Sequence, residues 1–115
     1  MKKKAVAAKR RQSCIAMWCK QMKDNKGWNH DQCMDQVSLI IQVLQQMLRG
    51  YAAISYLQKD GTPKLARGTL AYYEHFFNTP FQWVNQNGTI PFWDGDAKVW
   101  RTFQVENLLD WRLVY

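Results

Sequence analysis

The sequence lacks any long apolar run in its 115 residues. A basic run at residues 9–11 interrupts the short apolar stretch at residues 5–8, which is too short for the core of a secretory signal. Gln42 ends the later run at residues 39–41, whereas a membrane span needs about 20 apolar residues. The sequence therefore predicts a soluble, intracellular protein with no membrane attachment.

Cysteine is scarce, and the three that occur are Cys14, Cys19 and Cys33. An odd number cannot all pair within one chain, so reduced thiols are expected. Cys19, His30 and Cys33 are the set that could gather around zinc, but no Cys-x-x-Cys pair is present and a fourth ligand is missing. We expect ordinary buried thiols, no metal site and no other cofactor.

Signatures of catalysis are also missing, since the chain has no nucleophile motif, no Gly-rich phosphate loop and no paired metal ligands. Glu74 beside His75 is a candidate acid–base pair, and Asp94 with Asp96 is a candidate cation site. Asp-Gly-Asp is, however, first of all a turn composition. We therefore expect a protein that is not an enzyme and has no small-molecule substrate.

Acidic residues are nearly absent from residues 1–26, where Asp24 stands against nine basic residues, a net charge of +8. Residues 27–115 carry seven basic and eight acidic residues, a net charge of −1. The basic residues of the first segment are Lys2, Lys3, Lys4, Lys9, Arg10, Arg11, Lys20, Lys23 and Lys26. Such a block attracts nucleic-acid phosphate, an anionic membrane or an acidic protein, and charge alone leaves the choice open.

Two helices are predicted before residue 50. Residues 3–23 contain helix formers without Gly or Pro. An apolar stripe at helical spacing runs through Ile15, Trp18, Cys19 and Met22. Asn29 and Gln32 then form a capping-box pattern, which opens a second helix at residues 30–49, with Gly50 at its C-cap position.

Beyond residue 50 the apolar pattern changes to a period of two, which is typical of strands. Asp60-Gly61 separates two alternating runs and is expected to supply the positive φ angles of a tight hairpin. Further strands are predicted at residues 89–93, 98–103 and 110–115, with a 3₁₀ turn before the last.

This order predicts an α+β chain in which two N-terminal helices precede a small five-stranded antiparallel SH3-like barrel. The basic helical extension takes residues 1–50. The barrel takes residues 51–115 and includes an aromatic loop at residues 71–88.

The barrel segment also carries a family likeness. Its motifs are Lys59-Asp60-Gly61-Thr62, Ala66-Arg67-Gly68-Thr69-Leu70, Phe92-Trp93-Asp94, Trp100-Arg101-Thr102-Phe103 and Val105-Glu106-Asn107-Leu108. In residues 50–115 the sequence resembles the SH3 β-barrel fold-containing family of unknown function from gut anaerobes, their phages and their conjugative elements. The resemblance implies the fold and a phage or mobile-element setting, but no activity and no functional residues. The chain departs from that family in the aromatic loop.

The aromatic loop is uncharged except for Glu74. Its large side chains are Tyr72, Tyr73, Phe76, Phe77, Phe81 and Trp83. Such rings could stack on single-stranded bases, but no basic residue lies between Arg67 and Lys98. We therefore favour a core lid or a protein-contact surface, in which a partner protein or a second copy would be bound.

The leading hypothesis is a small phage or mobile-element accessory protein that binds nucleic acid through the nine basic residues of its first helix, with the barrel as platform. The alternative is a protein-interaction module, either a virion or capsid-associated subunit or an inhibitor of a host defence protein. In that case the aromatic loop and the second helix form the contact. Both place the protein in the host cytoplasm, and association with a virion stays open.

Overall fold

The computed structural model describes residues 2–82 and 87–114, and side chains are described from residue 12 onward. Two long helices come first, α1 (Lys2–Lys26) and α2 (His30–Arg49). Five strands follow: β1 (Tyr51–Leu57), β2 (Pro63–Thr69), β3 (Thr89–Asp94), β4 (Val99–Gln104) and β5 (Leu108–Leu113). A short helix α3 (Tyr73–Phe77) lies between β2 and β3, and a 3₁₀ turn (Val105–Asn107) lies between β4 and β5.

Local signals set the ends of the helices. α1 ends at Gly27, which has a φ of 67° and donates its N–H to the Lys23 carbonyl oxygen at 2.9 Å. The predicted capping box is present, because Asn29 Oδ1 accepts from Gln32 N and Gln32 Oε1 accepts from Asn29 N, both at 2.9 Å. α2 therefore has the predicted bounds, and α1 runs three residues beyond its predicted end.

The five strands form one antiparallel sheet in the order β4-β3-β2-β1-β5. In the β1–β2 turn Gly61 has a φ of 85°. Asp60 does not take the expected positive φ, and its carboxylate instead accepts from the Thr62 N–H at 3.0 Å and hydroxyl at 2.6 Å. A register shift between Ser55 and Tyr56 lets β5 begin at Leu108, two residues before its predicted start.

One face of the sheet packs against α2. Side chains buried in this core come from both helices and from alternate positions of the strands, among them Val37, Ile40, Leu44, Ile54 and Phe92. The end of α2 is tied to β2, since the Thr69 hydroxyl donates to the carbonyl oxygens of Met47 at 3.1 Å and Gly50 at 2.6 Å. In the described residues, neither α1 nor α2 combines the length and apolar character needed to cross a bilayer.

Candidate nucleic-acid interface and aromatic surface

One face of α1 anchors the helix to the rest of the protein. The buried side chains of this face are Cys14, Trp18, Cys19 and Met22. Trp18, Cys19 and Met22 belong to the predicted apolar stripe, whereas Cys14 was not part of it and the predicted Ile15 is only half-buried. The four buried side chains join the same core as α2 and the sheet. α1 is therefore held along residues 14–22 by apolar burial.

Polar contacts fix the C-terminal half of α1 against the 3₁₀ turn. Gln21 Nε2 donates to Glu106 Oε2 at 2.6 Å, and Asn25 Nδ2 donates to Glu106 Oε1 at 3.0 Å. Gln21 Nε2 also lies 3.2 Å from the Gly88 carbonyl oxygen. Because Glu106 is only 5% exposed, these bonds satisfy a carboxylate that would otherwise be costly to bury. They set how the helix is rotated on the barrel.

That rotation leaves the lysines in the C-terminal half of α1 exposed to solvent. Lys20 and Lys23 lie about 200° and about 140° around the helix from buried Trp18, at 3.6 residues per turn. Both are exposed, as is Lys26. In residues 12–82 and 87–114 the ion pairs are Arg67–Asp96 and Arg101–Asp94, so these three lysines are unpaired there. Their positive charge is available to an anionic partner.

The remaining six predicted phosphate-binding residues lie outside the part of the chain whose side chains are described: Lys2, Lys3, Lys4, Lys9, Arg10 and Arg11. The backbone that carries them is helical and continuous with the anchored half of α1. Over 25 residues the helix has a length of about 37 Å. All nine basic residues therefore belong to one helix.

The aromatic surface is the second candidate site. It consists of α3 and the residues around it, packed on Trp93 and Trp100, which face each other across β3 and β4 with ring centroids 5.7 Å apart. Phe76 stacks on Trp93 at 5.2 Å and 26°, and Phe77 meets Trp100 at 5.0 Å. Tyr73 completes the layer with an edge contact to Trp100 at 6.0 Å. The part of the predicted loop that contains α3 thus covers one face of the β3–β4 hairpin.

Three of its aromatic side chains face solvent. Tyr72 is 44% exposed, Phe76 51% and Phe77 47%. Tyr73 and Phe81 are half-buried and contact each other at 5.4 Å, so they support the surface instead of forming its outer layer. Trp83, the sixth predicted residue, lies outside the described residues.

Sequence reasoning missed Trp93 and Trp100 as the base of this surface. They were predicted only as strand residues, and the signal that could have found them is their pairing across the Asp94-Gly95-Asp96 turn. Two arginines beside that turn are engaged in ion pairs, since Arg67 pairs with Asp96 through two nitrogens at 2.9 to 3.2 Å and Arg101 pairs with Asp94 at 2.8 Å. The aromatic surface is therefore predominantly apolar.

Asp94 and Asp96, the candidate cation site, form hydrogen bonds and ion pairs that hold the turn between β3 and β4. Asp94 Oδ1 accepts from the backbone N–H groups of Asp96 and Ala97, both at 3.0 Å, and Oδ2 accepts from Arg101 Nε at 2.8 Å. Burial alone would raise the pKa of Asp94, but the hydrogen bonds from Ala97, Arg101 and Asp96 outweigh it and hold that pKa below its usual value. Both oxygens are engaged in the turn.

The three cysteines are buried, and they pack in the interior of the protein as free thiols. The Cys33 thiol donates to the Cys19 carbonyl oxygen at 3.7 Å, and the Cys19 sulfur lies 3.8 Å from Met34 Sδ. Burial raises the pKa of the Cys14 and Cys19 thiols, which disfavours the thiolate that metals bind. Within the described residues, no three His, Cys, Asp or Glu side chains come together in a group that could hold a metal ion.

Comparison with known proteins identifies a family for the barrel segment. The family model described as WYL_2, Sm-like SH3 beta-barrel fold, matches residues 40–109. The matched region begins in the second half of α2 and ends in β5, so α1 lies outside it. No curated protein and no solved structure matches the chain. The match confirms the barrel fold, and the phage or mobile-element setting stays a prediction.

Proposed function

This chain belongs to the WYL_2 family of Sm-like SH3 β-barrel domains, and we propose that it is a small binding module that contacts nucleic acid through α1. The supporting observation is that Lys20, Lys23 and Lys26 are exposed, and without an ion-pair partner among the described residues, on a helix that is anchored by its buried face. The barrel is the platform that holds this helix in place. Such a module fits a small accessory protein of a phage or mobile element.

The physical basis is counterion release. Each phosphate that a lysine or arginine neutralises frees condensed cations, so affinity falls steeply as salt rises. A continuous helix with nine basic residues and Asp24 as its one acidic residue can follow a phosphate backbone over several contacts. The contacts are to phosphate, so the proposal includes no preference for a base sequence. It also includes no catalytic step, no cofactor and no small-molecule substrate.

The test is binding of the full-length protein to single-stranded and double-stranded DNA and RNA across a salt series. A variant with Lys20→Gln, Lys23→Gln and Lys26→Gln should bind more weakly and with a shallower salt dependence. The matched control is Lys59→Gln, Lys64→Gln and Lys98→Gln, which removes the same charge from the barrel. A second variant neutralises Lys9, Arg10 and Arg11. Equal losses in the α1 and barrel variants, or binding that salt does not affect, would contradict the proposal.

A second candidate function is protein contact through the aromatic surface. The observation that favours it is the exposure of Tyr72, Phe76 and Phe77 on a layer fixed by two tryptophans. Exposed apolar patches rimmed by polar residues are typical of interaction sites, and aromatic side chains are enriched at interfaces. A virion or capsid-associated subunit, or an inhibitor of a host defence protein, would use such a surface, with α2 as a second contact.

Phe76→Ser with Phe77→Ser tests this candidate. Sedimentation measures self-association, and capture of a partner from host extract measures hetero-association. Leu65→Ser is the control, because Leu65 is 77% exposed on β2 and is not part of the aromatic surface. Loss of association in the double variant alone supports the candidate. Unchanged association in the double variant removes it.

A further inference from the structure

A groove of about 610 Å³ lies between α1 and α2. Its apolar lining comes from Ile15, Ala16 and Cys19 on α1 and from Met34 on α2. Met34 is 39% exposed, Ala16 is exposed as well and Ile15 is half-buried. Its volume falls in the range of about 300–1,000 Å³ that binding pockets occupy. The helix pair thus leaves an apolar seam open to solvent.

The rim of this groove is positively charged. Lys20 and Lys23 line it from α1, with Asp24 as the one acidic side chain among its lining residues. His30 lines it from the start of α2, and Gln12 also contributes to the lining. On the sequence, the N-terminal part of α1 before Gln12 adds six basic residues and no acidic one. An occupant therefore meets apolar side chains within the groove and cations along its edge.

We infer that the groove between α1 and α2 binds an amphipathic helix of another protein, one with an apolar stripe flanked by acidic residues. Two packed helices accept a third along their seam when its apolar side chains recur at i, i+3, i+4 and i+7. Glutamates or aspartates beside that stripe would meet Lys20 and Lys23, and such complementarity orients the partner. This partner class follows from the lining and the charge together.

Two other occupants fit less well. A second copy of the chain would bring a net charge of +7 to a rim that is already positive. The phosphates of a nucleic acid would be attracted to the lysines, but they would make no favourable contact with Ile15, Ala16 and Met34. An acidic amphipathic helix uses both features of the groove. The inference goes beyond the proposed nucleic-acid binding, and because Lys20 and Lys23 serve both, the two ligands should compete.

The experiment uses the full-length protein and a fluorescent model peptide of about 18 residues, or five helical turns. The peptide carries leucines at i, i+3, i+4 and i+7 and glutamates beside them. A peptide of the same composition in scrambled order is its control. Fluorescence anisotropy measures binding, and NMR of the methionine methyl groups reports whether Met34 is contacted. Binding of the ordered peptide with a shift of the Met34 signal is the expected result.

Ala16→Arg separates the groove from charge alone, since it fills the seam and adds a cation. It should weaken peptide binding about tenfold or more and leave salt-sensitive binding of nucleic acid intact or stronger. Ser13→Arg adds the same charge at an exposed position that does not line the groove, and it should retain peptide binding. Met34→Lys repeats the test from α2. Melting temperatures confirm that each variant folds.

Three results would overturn the inference: no peptide binding up to about 1 mM, equal binding of the scrambled peptide, or peptide binding that Ala16→Arg and Met34→Lys leave unchanged. The peptide result stands apart from the nucleic-acid result. If nucleic acid fails to bind while the peptide binds in the groove, the proposed function fails and this inference holds. If nucleic acid binds while the peptide does not, this inference fails and the proposed function holds.

Discussion

Gln21 and Glu106 are joined by a hydrogen bond of 2.6 Å between residues 85 positions apart in the chain. Asn25 donates to the other oxygen of the same carboxylate at 3.0 Å. This bridge connects the first helix to the 3₁₀ turn that precedes the last strand. The bridge fixes how α1 is rotated against the 3₁₀ turn, because both donors must face one carboxylate. Apolar packing alone does not fix that rotation.

Glu106→Ala should therefore destabilise the fold. It removes the acceptor of Asn25 Nδ2 and one of the two acceptors of half-buried Gln21 Nε2, and a hydrogen bond to a charged group contributes about 1.5–3 kcal/mol. Urea unfolding followed by circular dichroism measures the free energy of unfolding. Glu74→Ala, at an exposed position, is the control and should change it little. Gln21→Ala combined with Glu106→Ala should be non-additive, and additive losses would show that the bridge contributes nothing.

Trp18→Ala should be among the most damaging substitutions in the first helix. Trp18 is a large, fully buried side chain in the core, and truncating such a residue costs about 3–5 kcal/mol. The adjacent Met17→Ala removes an exposed side chain and should cost within about 0.5 kcal/mol. Thermal and urea unfolding of both variants measure the difference. Similar losses at the two positions would argue that α1 is not anchored through this face.

Asp94 gives a pH dependence with a definite sign. Its folded-state pKa is lowered, so its stabilisation is fully present above the unfolded value of about 3.9 and is lost as pH falls through the folded value. Asp94→Asn should cost about 1.5–3 kcal/mol at pH 7, the range for hydrogen bonds to a charged group, and less at pH 3. The check is the free energy of unfolding across pH 2–7, with exposed Asp35→Asn as control. A cost that stays constant with pH would contradict this.

The slope of nucleic-acid affinity against salt provides a quantitative prediction. Replacing Lys20, Lys23 and Lys26 by glutamine should reduce the log–log slope by about 2.7 on B-form duplex or about 2.1 on single strands, if each lysine neutralises one phosphate. Binding isotherms at four or more salt concentrations measure the slope. The barrel variant of Lys59, Lys64 and Lys98 should leave it unchanged. A smaller reduction in the slope would mean that one or more of the three lysines do not contact phosphate.

The local part of the fold could be read from the sequence. The capping box at Asn29 and Gln32 sets the start of α2 with nearby atoms only, and the predicted start is correct. The segment from Asp24 to Gly27 is expected to break α1, but the helix continues through the first three of these residues and ends only at Gly27, which has the left-handed φ. β5 also begins at Leu108, two residues before its predicted start. That boundary depends on a register shift against β1, more than fifty residues earlier, and no local pattern reports it.

Part of each candidate site could likewise be predicted from the sequence, and part could not. The exposure of Lys20 and Lys23 follows from helical spacing once Trp18 and Met22 are recognised as buried, so the sequence was sufficient. The ordered aromatic surface was not predictable, because α3 has no buried residue of its own and is held by Trp93 and Trp100 of later strands. The groove between α1 and α2 likewise exists only after the helices have packed.

The bridge from Gln21 to Glu106 also has a consequence for synthesis on the ribosome. α1 leaves the ribosome before the barrel, and Glu106 follows Gln21 by 85 residues, which takes about 4 to 17 s at roughly 5–20 residues per second. During that interval Trp18 and Met22 have no barrel to cover them, and the basic helix is present without its platform. The nascent chain therefore exposes its basic residues and the apolar face of α1 together, and the 3₁₀ turn that carries Glu106 completes the contacts of the first helix only after β1 to β4 have been made.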